Sequence, residues 1–209
     1  MSFTTSVYLF AIGAICGSVL ILRREVGFVY KNGKPEAEMK IDLFVDLFCP
    51  KSKALFSRLM EVVDGYRDDQ IRLKTHLVPL PYHAFSFMAS KTVHSVSTLT
   101  RDQQTYNWMA AIFSNMSLFR ENAHSKTQHD VMTQFTDMVE TFKVDKDDFT
   151  QLCCSDLHVE DDTRVGWKYS CSRGVHSVPW FMINDMTVNA EEWTVQDWKK
   201  QIDKLLGSQ

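Results

Sequence analysis

The sequence predicts an α/β protein: a mostly parallel sheet, split by a long helical block and closed by a hairpin and a helix. Three observations predict it. Lys40–Lys53, KIDLFVDLFCPKSK, alternates and then runs apolar through Ile41, Leu43, Phe44, Val45 and Leu47, the pattern of a strand covered on both faces. At Phe48-Cys49-Pro50 the spacing turns helical, with Leu55, Leu59, Met60, Val62 and Val63 on one side. After a second strand pattern, residues from Ala84 to about Arg173 read as helices and loops, and strand character returns only at Ser172–Asn184.

In chain order, Val7–Leu22, VYLFAIGAICGSVLIL, comes first and carries no charge. With Thr4–Leu22 it reaches the length of a membrane span, and Arg23-Arg24 forms the polar stop. A retained anchor is the expectation; a cleaved signal peptide and a buried helix compete with it, and the missing positive residues before the apolar run count against the signal peptide. Residues 1–24 are therefore set apart from a globular part, residues 25–209. Gly13 and Gly17 give the anchor a small-residue face for helix packing. Glu25–Tyr30 reads as a short strand, ended by the turn signal Asn32-Gly33. The strand Lys40–Phe48 and the helix Pro50–Tyr66 follow. Gln70–Val78 alternates Ile71, Leu73, Thr75 and Leu77 against Arg72, Lys74 and His76, a strand with one wetter face.

Pro79-Leu80-Pro81-Tyr82-His83 breaks that strand. Helices are then expected at about 84–99, 102–115, 126–141, 146–154 and 159–173, the third opened by Ser125-Lys126-Thr127-Gln128. Phe85, Phe87, Met88, Trp108, Met109, Phe113 and Met116 are the expected core of this block. Gly174 stops the last helix. Val178-Pro179 leads into Trp180, Phe181, Met182 and Ile183, Asn184-Asp185 turns the chain, and Trp193–Leu206 is amphipathic.

Composition excludes several classes of function. A net charge of −3, without a basic stripe among aromatics, argues against nucleic acid. Cys16, Cys49, Cys153, Cys154 and Cys171 are odd in number and irregular in spacing, so they are no disulfide framework. Adjacent Cys153 and Cys154 point to different faces of a helix; Cys171 could approach Cys49 from the helical block. The seven histidines stand at no metal-ligand spacing, and no metal is expected.

Cys49 is where chemistry is expected. A strand delivers it to the first turn of a helix, and Pro50 suits that turn because its missing N–H would have no partner there. Free N–H groups and the helix dipole favour a thiolate at such a position, and Lys51 and Lys53 add positive charge. Ser52 stands where a C-x-x-C pair would have its second cysteine, and it cannot form a disulfide with Cys49.

The order of strand, Cys-Pro helix, strand, helical insertion (about 84–173), Val-Pro strand, hairpin and helix resembles a thioredoxin-like fold with a helical insertion, the DsbA-like arrangement. FVDLFCPKS, HLVPLPYHAFSFMAS and WKYSCSRGVHSVPWFMIN carry the likeness, in the right order, over about Glu25–Leu206. It resembles in particular the eukaryotic DsbA-like proteins, in which the second active-site cysteine is commonly lost. The resemblance implies that Cys49 matches the family's nucleophile, Pro50 its C-P dipeptide and Pro179 its cis-proline, with Val178 before it. Pro50, Val178 and Pro179 are then the candidate substrate-binding positions, with cis at Pro179 an expectation that a trans bond would refute. Ser52 departs from the resolving cysteine; as a site residue its role would be a hydrogen bond to the sulfur.

Two functional readings follow, with a weaker third. One is a redox-degenerate, membrane-anchored accessory or structural subunit held in the membrane by residues 7–22 and bound to other protein subunits. Charge asymmetry around the anchor favours the mitochondrial inner membrane, with the secretory pathway as the alternative. The second is a monothiol thiol-disulfide oxidoreductase using Cys49, resolved by an external thiol. The third is a glutathione-conjugating enzyme of the kappa-like group, where Ser52 or Cys49 would hold the thiolate. Glutathione is the one cofactor considered. His83 and His176, in the flanking loops, are candidates to tune Cys49, and Asn115-Met116-Ser117 is a glycosylation sequon relevant only to a luminal domain.

Overall fold

The computed structural model describes residues 25–207. The expected anchor, residues 7–22, lies outside them; among the described residues no helix is long and apolar enough to cross a membrane. Strand β1 (Phe28–Val29) leads to β2 (Met39–Val45), helix α1 (Pro50–Val63) and β3 (Ile71–Leu77). Five helices follow: α2 (Ser86–Thr100), α3 (Thr105–Ser114), α4 (Met116–Arg120), α5 (Gln128–Val139) and α6 (Lys146–Ser155). The long α7 (Leu157–Ser172) returns the chain to β4 (Trp180–Ile183), β5 (Met186–Val188) and α8 (Val195–Leu206).

The sheet order is β1-β3-β2-β4-β5. Only β2 and β3 pair in parallel; β1, β4 and β5 join antiparallel, which corrects the expectation of a mostly parallel sheet. The apolar run of β2 sits at the sheet centre, where both faces are covered, and a central strand reads alike whatever the direction of its neighbours.

Alternation sorts the two faces. Ile41, Leu43, Val45, Leu73, Leu77 and Phe181 face the main core with Leu55, Phe56, Leu59 and Trp198 from α1 and α8. On the opposite face Phe44 and Met182 form a smaller cluster with Val78 and Val175, against which Tyr169, Val178 and Trp180 pack. The helical block has an aromatic centre. Trp108 meets Phe135, Phe142 and Phe149, Phe119 stacks on Phe135 at 4.3 Å, and the Trp108 indole N–H donates to Thr92 Oγ1 at 3.0 Å. Of the core expected there, Trp108, Met109, Phe113 and Met116 are buried, whereas Phe85, Phe87 and Met88 at the start of α2 are only half-buried.

Helix ends depart from the expectations where capping decides them. The third helix of the block starts at Gln128, because Thr127 and Asp130 close a reciprocal capping box. The fifth starts at Leu157, capped by Asp156, and α8 starts after Trp193, capped by Thr194 with Asp197. Helix α4 was not expected; five residues after the polar Asn115 are too few for a periodic pattern.

Candidate active site

The site is built at the carboxyl end of β2. Asp46 follows the strand and folds back on its own turn: its Oδ1 accepts the Phe48 N–H at 2.7 Å, and its carbonyl accepts the Cys49 N–H at 3.0 Å. Cys49 then takes extended backbone (φ −91°, ψ 119°) as the N-cap of α1, and Pro50 opens the helix. Phe48 stacks on Phe119 at 5.5 Å, which ties this turn to the helical block.

Antiparallel pairing of β4 with β2, Phe44 opposite Trp180, carries the preceding loop across the helix terminus. The Val178–Pro179 bond is cis, as the resemblance implied, and the Cys49 thiol donates to the Val178 carbonyl at 3.8 Å. Cys49 is 8% exposed. On the cis-proline side runs a groove of about 320 Å³, lined by Ser177, Pro179, Trp180, Thr187, Asn189 and Glu191.

Ser52 lies in the first turn of α1. It is fully buried, and its hydroxyl accepts the Asp46 N–H at 3.4 Å. The first turn of a helix points position 52 inward, under the Asp46 turn. Lys51 pairs with Glu191, which holds its ammonium above the ordinary lysine range, and Lys53 is exposed. Both histidines expected to tune the thiol have other contacts. His83 Nδ1 lies 3.0 Å from Asp46 Oδ2, away from the hydrogen-bond direction, and His176 packs edge-on against Trp180.

The residue that sequence reasoning missed is Asp46. Its carboxyl group is buried and also accepts the Leu80 N–H and the Ser86 hydroxyl, each at 2.7 Å. It thereby pins the Pro79–Phe85 segment beside the Cys49 turn. An aspartate three residues before a cysteine at a strand-to-helix turn was the available signal. Phe85 enters α2 at φ 66°, a left-handed conformation that a bulky residue keeps only where neighbours hold it.

Among the described residues no cysteine is disulfide-bonded to Cys49. Cys153 is buried, 3.1 Å from Ser95 Oγ, and burial pushes its thiol up to about 12. Cys154 and Cys171 are exposed, and every described cysteine is free. What remains can take part in one-thiol chemistry or hold an extended segment along the Val178–Pro179 backbone. Asn115 of the sequon is exposed, with its amide donating to the Ala111 carbonyl at 2.9 Å.

Comparison with known proteins agrees with this architecture. The family model described as thioredoxin matches residues 28–204. No curated protein matches the chain. Among solved structures, BdbD from Bacillus subtilis superposes with a TM-score of 0.69 at 14% identity, covering 87% of this chain and 93% of its own. Wolbachia pipientis alpha-DsbA1 gives 0.67 at 16% identity, with 90% and 95% covered. The thiol-disulfide oxidoreductase MdbA from Corynebacterium diphtheriae gives 0.60 at 18% identity, with 85% and 89% covered. A Cys-Pro helix facing a cis Val-Pro bond, on a sheet carrying a helical insertion, together with the family match over most of its length, places this chain in the thioredoxin family, with a fold similar to that of the DsbA-like structures.

Proposed function

We propose that this chain is a redox-degenerate DsbA-like protein that works by binding, as an accessory or structural subunit of a membrane assembly. The observation that carries the reading is Ser52. It fills the resolving position, is fully buried and is bonded to backbone, and no other described cysteine is disulfide-bonded to Cys49. This supports a site without a C-x-x-C dithiol cycle at Cys49. The cis-proline loop and the groove beside it remain as a surface for an extended partner segment. The apolar run Val7–Leu22 with Arg23-Arg24 supports an anchor. The same charges support the mitochondrial inner membrane over the secretory pathway as the proposed location.

One observation favours a second reading, a monothiol oxidoreductase: Cys49 keeps its place at the helix N-terminus, facing Val178. The Cys49 thiolate would attack a disulfide, forming a mixed disulfide and releasing one thiolate. An external thiol such as glutathione would then attack the adduct, regenerate Cys49 and leave as the new disulfide.

Turnover separates the two. The full chain is assayed with a glutathione mixed disulfide and excess glutathione, beside Cys49→Ser. Equal background rates, with partner subunits still co-purifying from membranes with Cys49→Ser, are expected. Turnover that requires Cys49 replaces the first reading by the second.

A further inference from the structure

His76 lies on the opposite side of β3 from the main core, is 1% exposed, and has no role in the site described above. Its Nε2 sits 2.7 Å from Asp42 Oδ1 on the neighbouring strand. Its ring is sandwiched between Phe44 at 4.6 Å and Tyr169 of α7 at 5.0 Å. Nδ1 is buried with no hydrogen-bond partner among the described residues. With Asp42 accepting from Nε2–H, Nδ1 is the bare nitrogen of a neutral ring.

The His76 side chain lines a cavity of about 40 Å³ whose walls include Gly27, Phe28, His94, Asp162 and Gly166, although Nδ1 itself is sealed from solvent. Two glycines shape it. A side chain on Gly27, at φ +90°, would strike the His76 ring at 2.6 Å, and a methyl on Gly166 would meet nothing within 4 Å. The cavity has room for about three waters. His76 also touches, through Phe44, the small cluster of Val78, Val175 and Met182 on which Val178 packs. The imidazole therefore lies between the seat of α7 and the loop that faces Cys49.

We infer that this corner is a proton-operated latch: uptake of a proton at His76 Nδ1, with water admitted from the adjoining cavity as the corner opens, loosens α7 from β3 and with it the Val175–Pro179 loop opposite Cys49. The surroundings bear on the ring from every side: Asp42 on β2, Lys74 on β3, Glu25 before β1, His94 on α2, and Asp162 and Tyr169 on α7. Asp42 and Glu25 favour the charged ring and Lys74 opposes it, but burial outweighs them and holds His76 below the ordinary histidine value of 6.5. A charged ring is thus better accommodated where α7 opens and admits water. The sign follows. Between 6.5 and the folded midpoint the unfolded chain binds a proton that the folded chain does not, so stability is intact above 6.5 and is lost as pH falls towards that midpoint.

The test uses the full chain, titrated from about pH 8 to about pH 5, with histidine ring nitrogens followed by NMR and amide exchange by mass spectrometry. At the upper pH, His76 should be the Nε2–H tautomer with Nδ1 bare. On acidification it should charge below the ordinary histidine value of 6.5, and exchange in Leu77–Val78 and Val175–Pro179 should rise by about tenfold across the same midpoint. His76→Asn should abolish that rise and keep neutral-pH exchange unchanged. Where His76→Asn does not fold, Asp42→Asn serves, and it should move the midpoint further to the acid side. A protonated Nδ1 at neutral pH, a rise that persists in His76→Asn, or a midpoint indifferent to Asp42→Asn overturns the latch.

Discussion

Replacing Asp46 by alanine tests the architecture of the site most directly. The side chain is buried and receives three donors at 2.7 Å, the Phe48 and Leu80 N–H groups and the Ser86 hydroxyl. The hydroxyl can rotate away, but the two backbone N–H groups cannot. Each buried donor left without a partner costs about 1–3 kcal/mol, with Leu80, part-buried, at the low end. Adding the bond lost by Ser86 and the small void, Asp46→Ala should cost about 3–5 kcal/mol. At about 2–4 °C per kcal/mol for a domain of this size, the melting temperature should fall by about 10 °C. Asp46→Asn keeps one oxygen but presents an amide to one of the donors, so it should cost about 1–3 kcal/mol. Urea unfolding followed by tryptophan fluorescence measures both. A loss under about 1 kcal/mol for Asp46→Ala, at unchanged denaturant slope, would refute the claim that this carboxyl group holds the turn and the 80–86 segment together.

Ser52→Cys should restore a closable pair in Cys-Pro-Lys-Cys. Under mild oxidant the loss of two free thiols is expected beyond the wild-type count, and retention of both after oxidation would show that the sulfurs do not face each other. The buried position must accept a larger atom, at a cost of about 1 kcal/mol in the reduced form. The glycines of the latch corner should respond in opposite directions. Gly27→Ala strains a left-handed backbone against His76 and should destabilise by at least about 2 kcal/mol, whereas Gly166→Ala, in a helix with open space, should stabilise by about 0.5–1 kcal/mol. Denaturant midpoints decide both. Alkylation of the folded chain near pH 8 should proceed first at exposed Cys154 and Cys171, while Cys153, with its thiol pushed up to about 12, stays unmodified until unfolding. Peptide mapping that finds Cys153 among the first labelled would show that α6 opens in the native state.

Much of this protein is legible in its sequence because periodicity and punctuation are local properties. The alternation of Gln70–Val78, the helical spacing after Pro50, the Asn184-Asp185 turn and the Cys-Pro start of α1 each follow from residues within a turn or two of one another. The absence of a cysteine at 52 is equally plain, and it rules out a C-x-x-C pair at the start of α1 before any fold is known. The likeness of segment order also placed Val178-Pro179 opposite Cys49, residues 129 apart in the chain.

Contacts between segments were decided only by the folded chain. Nothing local tells Asp46 that its donors are Leu80 and Ser86, or tells Lys51 that it will meet Glu191. Strand direction was hidden for a related reason. A buried central strand satisfies its apolar faces whichever way its neighbours run, and the neighbours are set by connections far along the chain. The bond that the Ser52 hydroxyl accepts from the Asp46 N–H belongs to the same class: the sequence settles which atoms are present, and packing settles which of them meet.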